Sequence, residues 1–348
     1  MAVTKEQWGK TKKGEEIIAY HISNSEGVEA VVLNYGCTIR NIYVPDKNGN
    51  KVDVVLGYGA PEDYFDNGCF LGSTVGPTAN RIANAKYSIE GKEFSLPVND
   101  GPNNLHTDIN YGFHKRIWSA EEGENCVKFT LDSKDGDLGF SGNRSFSLTY
   151  SLDDDNNFEL HYHATSDAKT LINMTNHVYF NLGGHASGSI LGHTLKLSAS
   201  KFTPVIDSAA IPTGEIQDVA GTVFDFTTAK EIGRDINADL EQLQCVGGYD
   251  HNFCVDGENG ALREAAFAQS PDTGITLRCL TTLPGIQLYV GNFLKSDAGK
   301  ENTQYKPRDG FCLETQYYPN SINQEGFPTP IFGPGNDYDC VTVYQFGI

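Results

Sequence analysis

Thr175-Asn176-His177-Val178-Tyr179-Phe180-Asn181-Leu182 reads as an extended segment with two unlike faces. Side chains alternate along a strand, so Thr175, His177, Tyr179 and Asn181 point one way and Val178, Phe180 and Leu182 the other. One face suits a core. The other presents four hydrogen-bonding groups, including an imidazole whose charge changes near neutral pH. A distant stretch, Phe311-Cys312-Leu313-Glu314-Thr315-Gln316-Tyr317-Tyr318-Pro319, repeats the design, with Glu314 and Gln316 opposite Phe311 and Leu313. A histidine and a glutamate on two polar sheet faces can form an acid/base pair.

Strand-like runs recur from end to end. They include Ile17–Ile22, Thr38–Val44, Val127–Leu131, Ser145–Leu152, Phe158–His163, Leu195–Leu197, Ile275–Leu280 and Cys340–Phe346. Turn signals such as Asp46-Lys47-Asn48-Gly49 and Asp256-Gly257-Glu258-Asn259-Gly260 separate them. This pattern predicts an all-β sandwich or barrel. A single helix is expected from a cap at Thr227 or Thr228 through Ala229-Lys230-Glu231-Ile232, continuing near Ile236–Leu240. No repeat, low-complexity tract or Pro/Ser-rich linker interrupts the chain, so 1–348 is expected to be one domain.

The 348 residues suffice to bury roughly three-quarters of the unfolded surface. Charged residues make up 20% and hydrophobic ones 39%, a globular balance, and 17 Tyr, 19 Phe and 37 Gly against 2 Met favour strands and turns over helices. A formal net charge of -19 argues against nucleic-acid and anionic-membrane partners, which Lys and Arg would hold. The 8 cysteines lack any C-x-x-C spacing and are expected to be reduced and mostly buried. The first residues lack the apolar run of a signal peptide and no 18-residue apolar stretch exists, so a cytoplasmic location is expected.

Other segments carry similar patterning. Pro284-Gly285-Ile286-Gln287-Leu288-Tyr289-Val290 puts Gln287 and Tyr289 on one face, and Tyr249-Asp250-His251-Asn252-Phe253 pairs a carboxylate with an amide. Asn80-Arg81-Ile82 follows the turn-prone Val75-Gly76-Pro77-Thr78, and Asn103-Asn104-Leu105-His106 is a polar loop ending in an imidazole. Taken singly, each is as readily a turn or a solvated face as a site. A lone strand histidine is more often structural than catalytic, but the polar neighbours of His177 are groups that a core would not leave unpaired.

Thr78-Ala79-Asn80-Arg81-Ile82, Asn104-Leu105-His106, the strand around His177, Asp250-His251-Asn252-Phe253 and Leu313-Glu314-Thr315-Gln316 together resemble the aldose 1-epimerase (galactose mutarotase) family, in order and over nearly the whole chain. The resemblance implies a large antiparallel β-supersandwich with few short helices and a sugar cleft on one sheet. It implies His177 as general acid and Glu314 as general base, with Asn80, Arg81, His106, Asp250 and Gln287 binding the sugar and Tyr179 lining the cleft. The substrate would be a free aldose such as galactose or glucose, with no cofactor and no metal, handled by a monomer or homodimer. The family usually places two glycines after the His106 position, where this chain has Thr107 and Asp108.

Three rivals follow from the same residues. A non-catalytic carbohydrate-binding sandwich would need no His/Glu pair. A hexose-6-phosphate 1-epimerase would need added cations at the site, and only Lys115-Arg116 clusters near the motifs. A metal-dependent barrel would use His161 and His163, but no carboxylate follows at the required spacing, so a half-exposed strand face is expected there.

Overall fold

Strand Asn157–Ser166 shows how the alternation is used: Phe158, Leu160, Tyr162 and Ala164 are buried, while Glu159, His161 and His163 are partly exposed. In the computed structural model, which describes residues 2–296 and 299–348, this strand lies near the middle of a nine-stranded antiparallel sheet. The order across that sheet is Ser119–Glu122, Cys126–Ser133, Arg144–Leu152, Asn157–Ser166, Tyr338–Gly347, Thr276–Thr281, Arg263–Gln269, Thr194–Leu197 and Lys230–Glu231. All eight runs expected to be extended coincide with strands, Thr38 and Ile275 each standing one residue before theirs.

An N-terminal five-stranded meander runs through Ala2–Lys10, Glu16–Ser23, Glu29–Leu33, Ile39–Pro45 and Lys51–Asp53. A second five-stranded sheet, the site sheet, has the order Gln217–Asp218, Lys201–Thr203, Asp250–Cys254, Gly285–Tyr289 and Cys312–Gln316. A single apolar cluster draws on all three sheets: Val32 and Ile42, Leu148, Leu160, Leu277 and Tyr344, and Phe253, Ile286, Leu288 and Leu313. The site sheet rests on the large one through Thr315 and Thr342, whose hydroxyls are 2.6 Å apart, and through the Tyr344 hydroxyl donating to the Leu313 carbonyl at 3.3 Å. Its apolar back is thereby buried and its polar front left to form a cleft.

Two expectations are corrected. The helix does not form at Ala229–Leu240. Lys230–Glu231 pairs as an edge strand with Thr194 and Leu195, and residues 232–240 turn. Lys230 is buried with its ammonium bonded to the Val223 carbonyl and Asp235, while Ile232 and Ile236 enter the core, so tertiary contacts override local helix propensity. The helical turn is Glu241–Gln244 instead. Thr175–Leu182, in turn, is not a continuous ladder. Thr175–His177 pairs with Ser73–Val75, and the chain then bridges at Phe180 to both Val55 and Phe311. It forms the seam between the meander and the site sheet. Among the described residues no helix is long and apolar enough to cross a membrane.

Candidate active site

That seam builds the site. Phe180 and Phe311 bond each other reciprocally, N–H to carbonyl, at 2.8 and 3.0 Å. Carrying this antiparallel register three residues along both strands sets His177 opposite Glu314 and switches both to the face away from the two phenyl rings. Within the site sheet, Glu314 pairs with Gln287 and Gln287 with Asn252; one step along, Cys312 pairs with Tyr289 and Tyr289 with Asp250. The polar front is therefore two neighbouring rungs, Asn252–Gln287–Glu314–His177 and Asp250–Tyr289–Cys312–Tyr179. The His177 Nε2 lies 3.8 Å from Glu314 Oε1, and these residues are only 5% and 2% exposed.

Loops close the other side. Arg81 pairs with Leu105 in a two-residue ladder, which brings Asn80 and His106 together. His106 N–H donates to the Asn80 carbonyl at 3.0 Å, and Asn80 N–H donates to His106 Nδ1 at 3.2 Å. Arg81 is held by Asp100, with Nε to Oδ2 at 2.9 Å. The result is a cavity of about 210 Å³ whose walls include Asn80, Arg81, His106, His177, Tyr179, Asp250 and Glu314. Seven of the eight residues singled out from sequence thus line one cleft. Gln287 lies beneath it, 3% exposed, its amide donating to Asp250 Oδ1 at 2.7 Å; it orients that carboxylate.

Phe70 and Phe293 also line the cleft and carry no sequence signal. Phe70 packs its ring 4.9 Å from that of His106, 4.7 Å from His114 and 5.8 Å from His177. Phe293 is 67% exposed at the rim. Tyr289, which shares its face with Gln287 in the sequence pattern, completes the floor.

Burial dominates the electrostatics. It lowers His177 to about 4 and raises Glu314 well above the usual carboxylate range, an effect that Asp250 reinforces and the Arg81 charge opposes. Asp250 is raised by burial and pulled back by Arg81 and by Gln287. Burial, His177, Arg81 and His114 hold His106 well below its ordinary value. Both imidazoles thus favour the neutral form, and the buried His177–Glu314 pair favours one shared proton over separated charges. The Arg81 charge acts on Glu314, Asp250 and His106.

His106, His177 and Glu314 each offer a ligand atom within 4.8 Å of the others. A metal-bound imidazole donates its second N–H to an acceptor. The Nδ1 of His106 instead accepts from Asn80, which fixes the proton on Nε2 and aims a donor at the cleft. That tautomer suits a sugar or carbonyl oxygen and not a cation. His161 and His163 lie on the outer face of the large sheet, with Asp339 at 2.7 Å and Asp337 at 3.9 Å from their Nε2 atoms, a solvated strand face as expected. Lys115 and Arg116 are outside the cleft. The Lys115 ammonium bonds the Tyr64 and Phe65 carbonyls and Arg116 pairs with Asp137, leaving Arg81 as the cation lining the cleft among the described residues.

The sequence profile described as Aldose 1-epimerase matches residues 19–345. Galactose mutarotase of Bos taurus is 37% identical over 349 residues, covering 100% of this chain and 99% of that protein. Aldose 1-epimerase of Escherichia coli (strain K12) is 38% identical over 328 residues, covering 93% and 94%. Among solved structures, an aldose epimerase homologue from C. elegans superposes with a TM-score of 0.86 at 30% identity, covering 94% of this chain and 98% of that one. Galactose 1-epimerase from Lactobacillus acidophilus NCFM gives 0.86 at 29% identity, covering 100% and 99%.

Proposed function

The chain belongs to the aldose 1-epimerase family, and from that premise we propose that it interconverts the α and β anomers of free hexoses such as galactose and glucose by acid/base ring opening. The observation that carries this reading is the approach of His177 and Glu314 to 3.8 Å on the floor of a cleft walled by sugar-compatible donors and acceptors.

The reaction needs one base and one acid at a single hemiacetal carbon. Glu314 takes the proton from the C1 hydroxyl while His177 gives one to the ring oxygen. The C1–ring-oxygen bond breaks and the open aldehyde forms. Rotation about C1–C2 presents the opposite carbonyl face, and the two groups exchange roles to close the ring. Each positioned transfer contributes on the order of 10²–10⁴-fold. The pair needs a single proton in total, residing on His177 when the ring opens. Arg81 favours that distribution by stabilising the Glu314 anion. Asp250, fixed by Gln287, accepts sugar hydroxyls, and Asn80, Arg81 and the Nε2–H of His106 supply further hydrogen bonds. Tyr179, with its hydroxyl donating to the Cys69 carbonyl at 3.0 Å, forms a wall of the cleft. No redox step arises, so the chemistry calls for no cofactor.

A sugar phosphate fits less well, because Arg81, the cation that lines the cleft among the described residues, is already engaged with Asp100. We also propose that residues 1–348 act as one domain, since one core cluster spans all three sheets. The working form is proposed as a cytoplasmic monomer or homodimer without nucleic-acid or membrane partners, in line with its net charge of -19. Polarimetry on freshly dissolved α-galactose tests the activity: accelerated decay to the equilibrium rotation is expected. A rate equal to the uncatalysed one would leave only sugar binding, and a preference for glucose 6-phosphate over galactose would move the assignment to the phosphate-specific reaction.

A further inference from the structure

His106 and the residue after it both adopt left-handed backbone conformations, with φ of +52° for His106 and +68° for Thr107. For a β-branched residue this is an outlier, and such strain persists only where the surroundings impose it. Those surroundings are specific. The Thr107 Oγ accepts from Thr78 N–H at 3.0 Å and donates to the Thr78 carbonyl at 2.9 Å, with the Thr78 hydroxyl a further 3.3 Å away. The Thr107 carbonyl accepts from Asn104 Nδ2 at 2.7 Å, and the same amide nitrogen reaches the Pro97 carbonyl at 2.6 Å. Thr78 and Thr107 are 1% and 0% exposed.

The left-handed turn at 106–107 breaks the short ladder that pairs Arg81 with Leu105. A ladder needs an acceptor for one N–H and a donor for one carbonyl at each bonded residue. The Thr107 hydroxyl supplies both to Thr78, and so continues the pairing of the two loops past the break. Asn80 and His106, whose reciprocal bonds fix the imidazole's tautomer, lie between the ladder and this hydroxyl.

We propose that Thr107 is a positioning residue: its hydroxyl clamps the His106 loop to Thr78 and thereby holds the His106 Nε2–H aimed into the cleft. This rests on the reading of His106 as a sugar-binding donor. Glycine adopts the Thr107 backbone conformation without strain, so Thr107→Gly removes the hydroxyl from a chain that still folds. It is expected to raise KM about tenfold with kcat changed less than threefold, because one hydrogen bond to substrate is loosened in ground and transition states alike. Thr107→Ser keeps the hydroxyl and should restore KM to within about twofold of wild type. In the sugar-free protein, ¹⁵N NMR should show His106 with an unprotonated Nδ1, and Thr107→Gly should give a mixture of tautomers.

Wild-type KM and an unchanged His106 tautomer in Thr107→Gly would overturn the proposal, as would a Ser variant impaired as much as the Gly one. The control is His106→Gln. If it leaves KM unchanged, the reading of His106 itself fails, whatever Thr107 does. If it raises KM while Thr107→Gly does not, the clamp alone fails.

Discussion

At the scale of single residues, the main consequence of the fold is where protons reside. His177 and Glu314 are pushed in opposite directions by the same burial, and both toward neutrality. In the proposed mechanism the active form carries one proton on the pair, whichever group holds it at rest. Adding a second proton protonates the base, and removing the only one leaves no acid. The profile of kcat/KM against pH is therefore a bell. Its acid limb is shifted below the ordinary histidine value of 6.5, toward about 4, and its basic limb lies above the usual carboxylate range. Polarimetric rates across pH 4–9 check this, and an acid limb centred at 6.5 or higher would contradict the neutral pair. Glu314→Gln preserves shape and most hydrogen bonds, so sugar affinity should survive while kcat falls by roughly 10²–10⁴-fold, with His177→Asn close behind. Rapid mutarotation by either variant would remove the pair from the mechanism.

At the scale of elements, the strand Cys312–Gln316, which carries the proposed base, has two tasks. Its front carries Glu314, and its back carries Leu313, fully buried against the core. Leu313→Ala should lower unfolding free energy by about 2–5 kcal/mol, the range for buried leucines, as read from denaturant midpoints; a change under 1 kcal/mol would mean that this face is not packed as described. Alternation made this strand and its partners legible in the sequence: Phe311 with Leu313 and Ile286 with Leu288 mark the back, so Glu314 and Gln287 must mark the front. The run at Ala229–Leu240 was misleading for the converse reason. Its local pattern suits a helix, but the Lys230 ammonium turns to the Val223 carbonyl and Asp235, Ile236 enters the core, and the backbone pairs with Thr194 and Leu195 instead.

For the whole molecule, stability should depend on pH through buried histidines. His106, His114, His177, His193 and His251 are all held below 6.5 by burial: His193 and His177 near 4, His114 and His251 near 3, and His106 well below its ordinary value. The unfolded chain takes up these protons near pH 6.5 and the folded one does not. Stability is thus full above 6.5 and is lost as pH falls toward 4, by up to about 1.4 kcal/mol per pH unit for each imidazole. Glu314 and Asp250, raised in the fold, work in the opposite sense but are fewer. The Tm should therefore drop steadily between pH 7 and pH 5. A flat Tm over that interval would show that these imidazoles titrate freely in the native state.

The sequence by itself determined the all-β class and most strand faces, because alternation and turn chemistry are set by neighbours along the chain; the seven residues that line the cleft were marked out by the resemblance of their motifs to the aldose 1-epimerase family, not by alternation alone. Tertiary structure alone decided the rest. It put His177 and Glu314 on one rung through the Phe180–Phe311 bridge, moved Gln287 beneath Asp250, placed Phe70 among three imidazoles, and fixed the His106 tautomer. Register and desolvation depend on segments tens to more than a hundred residues apart, and no local pattern carries that information.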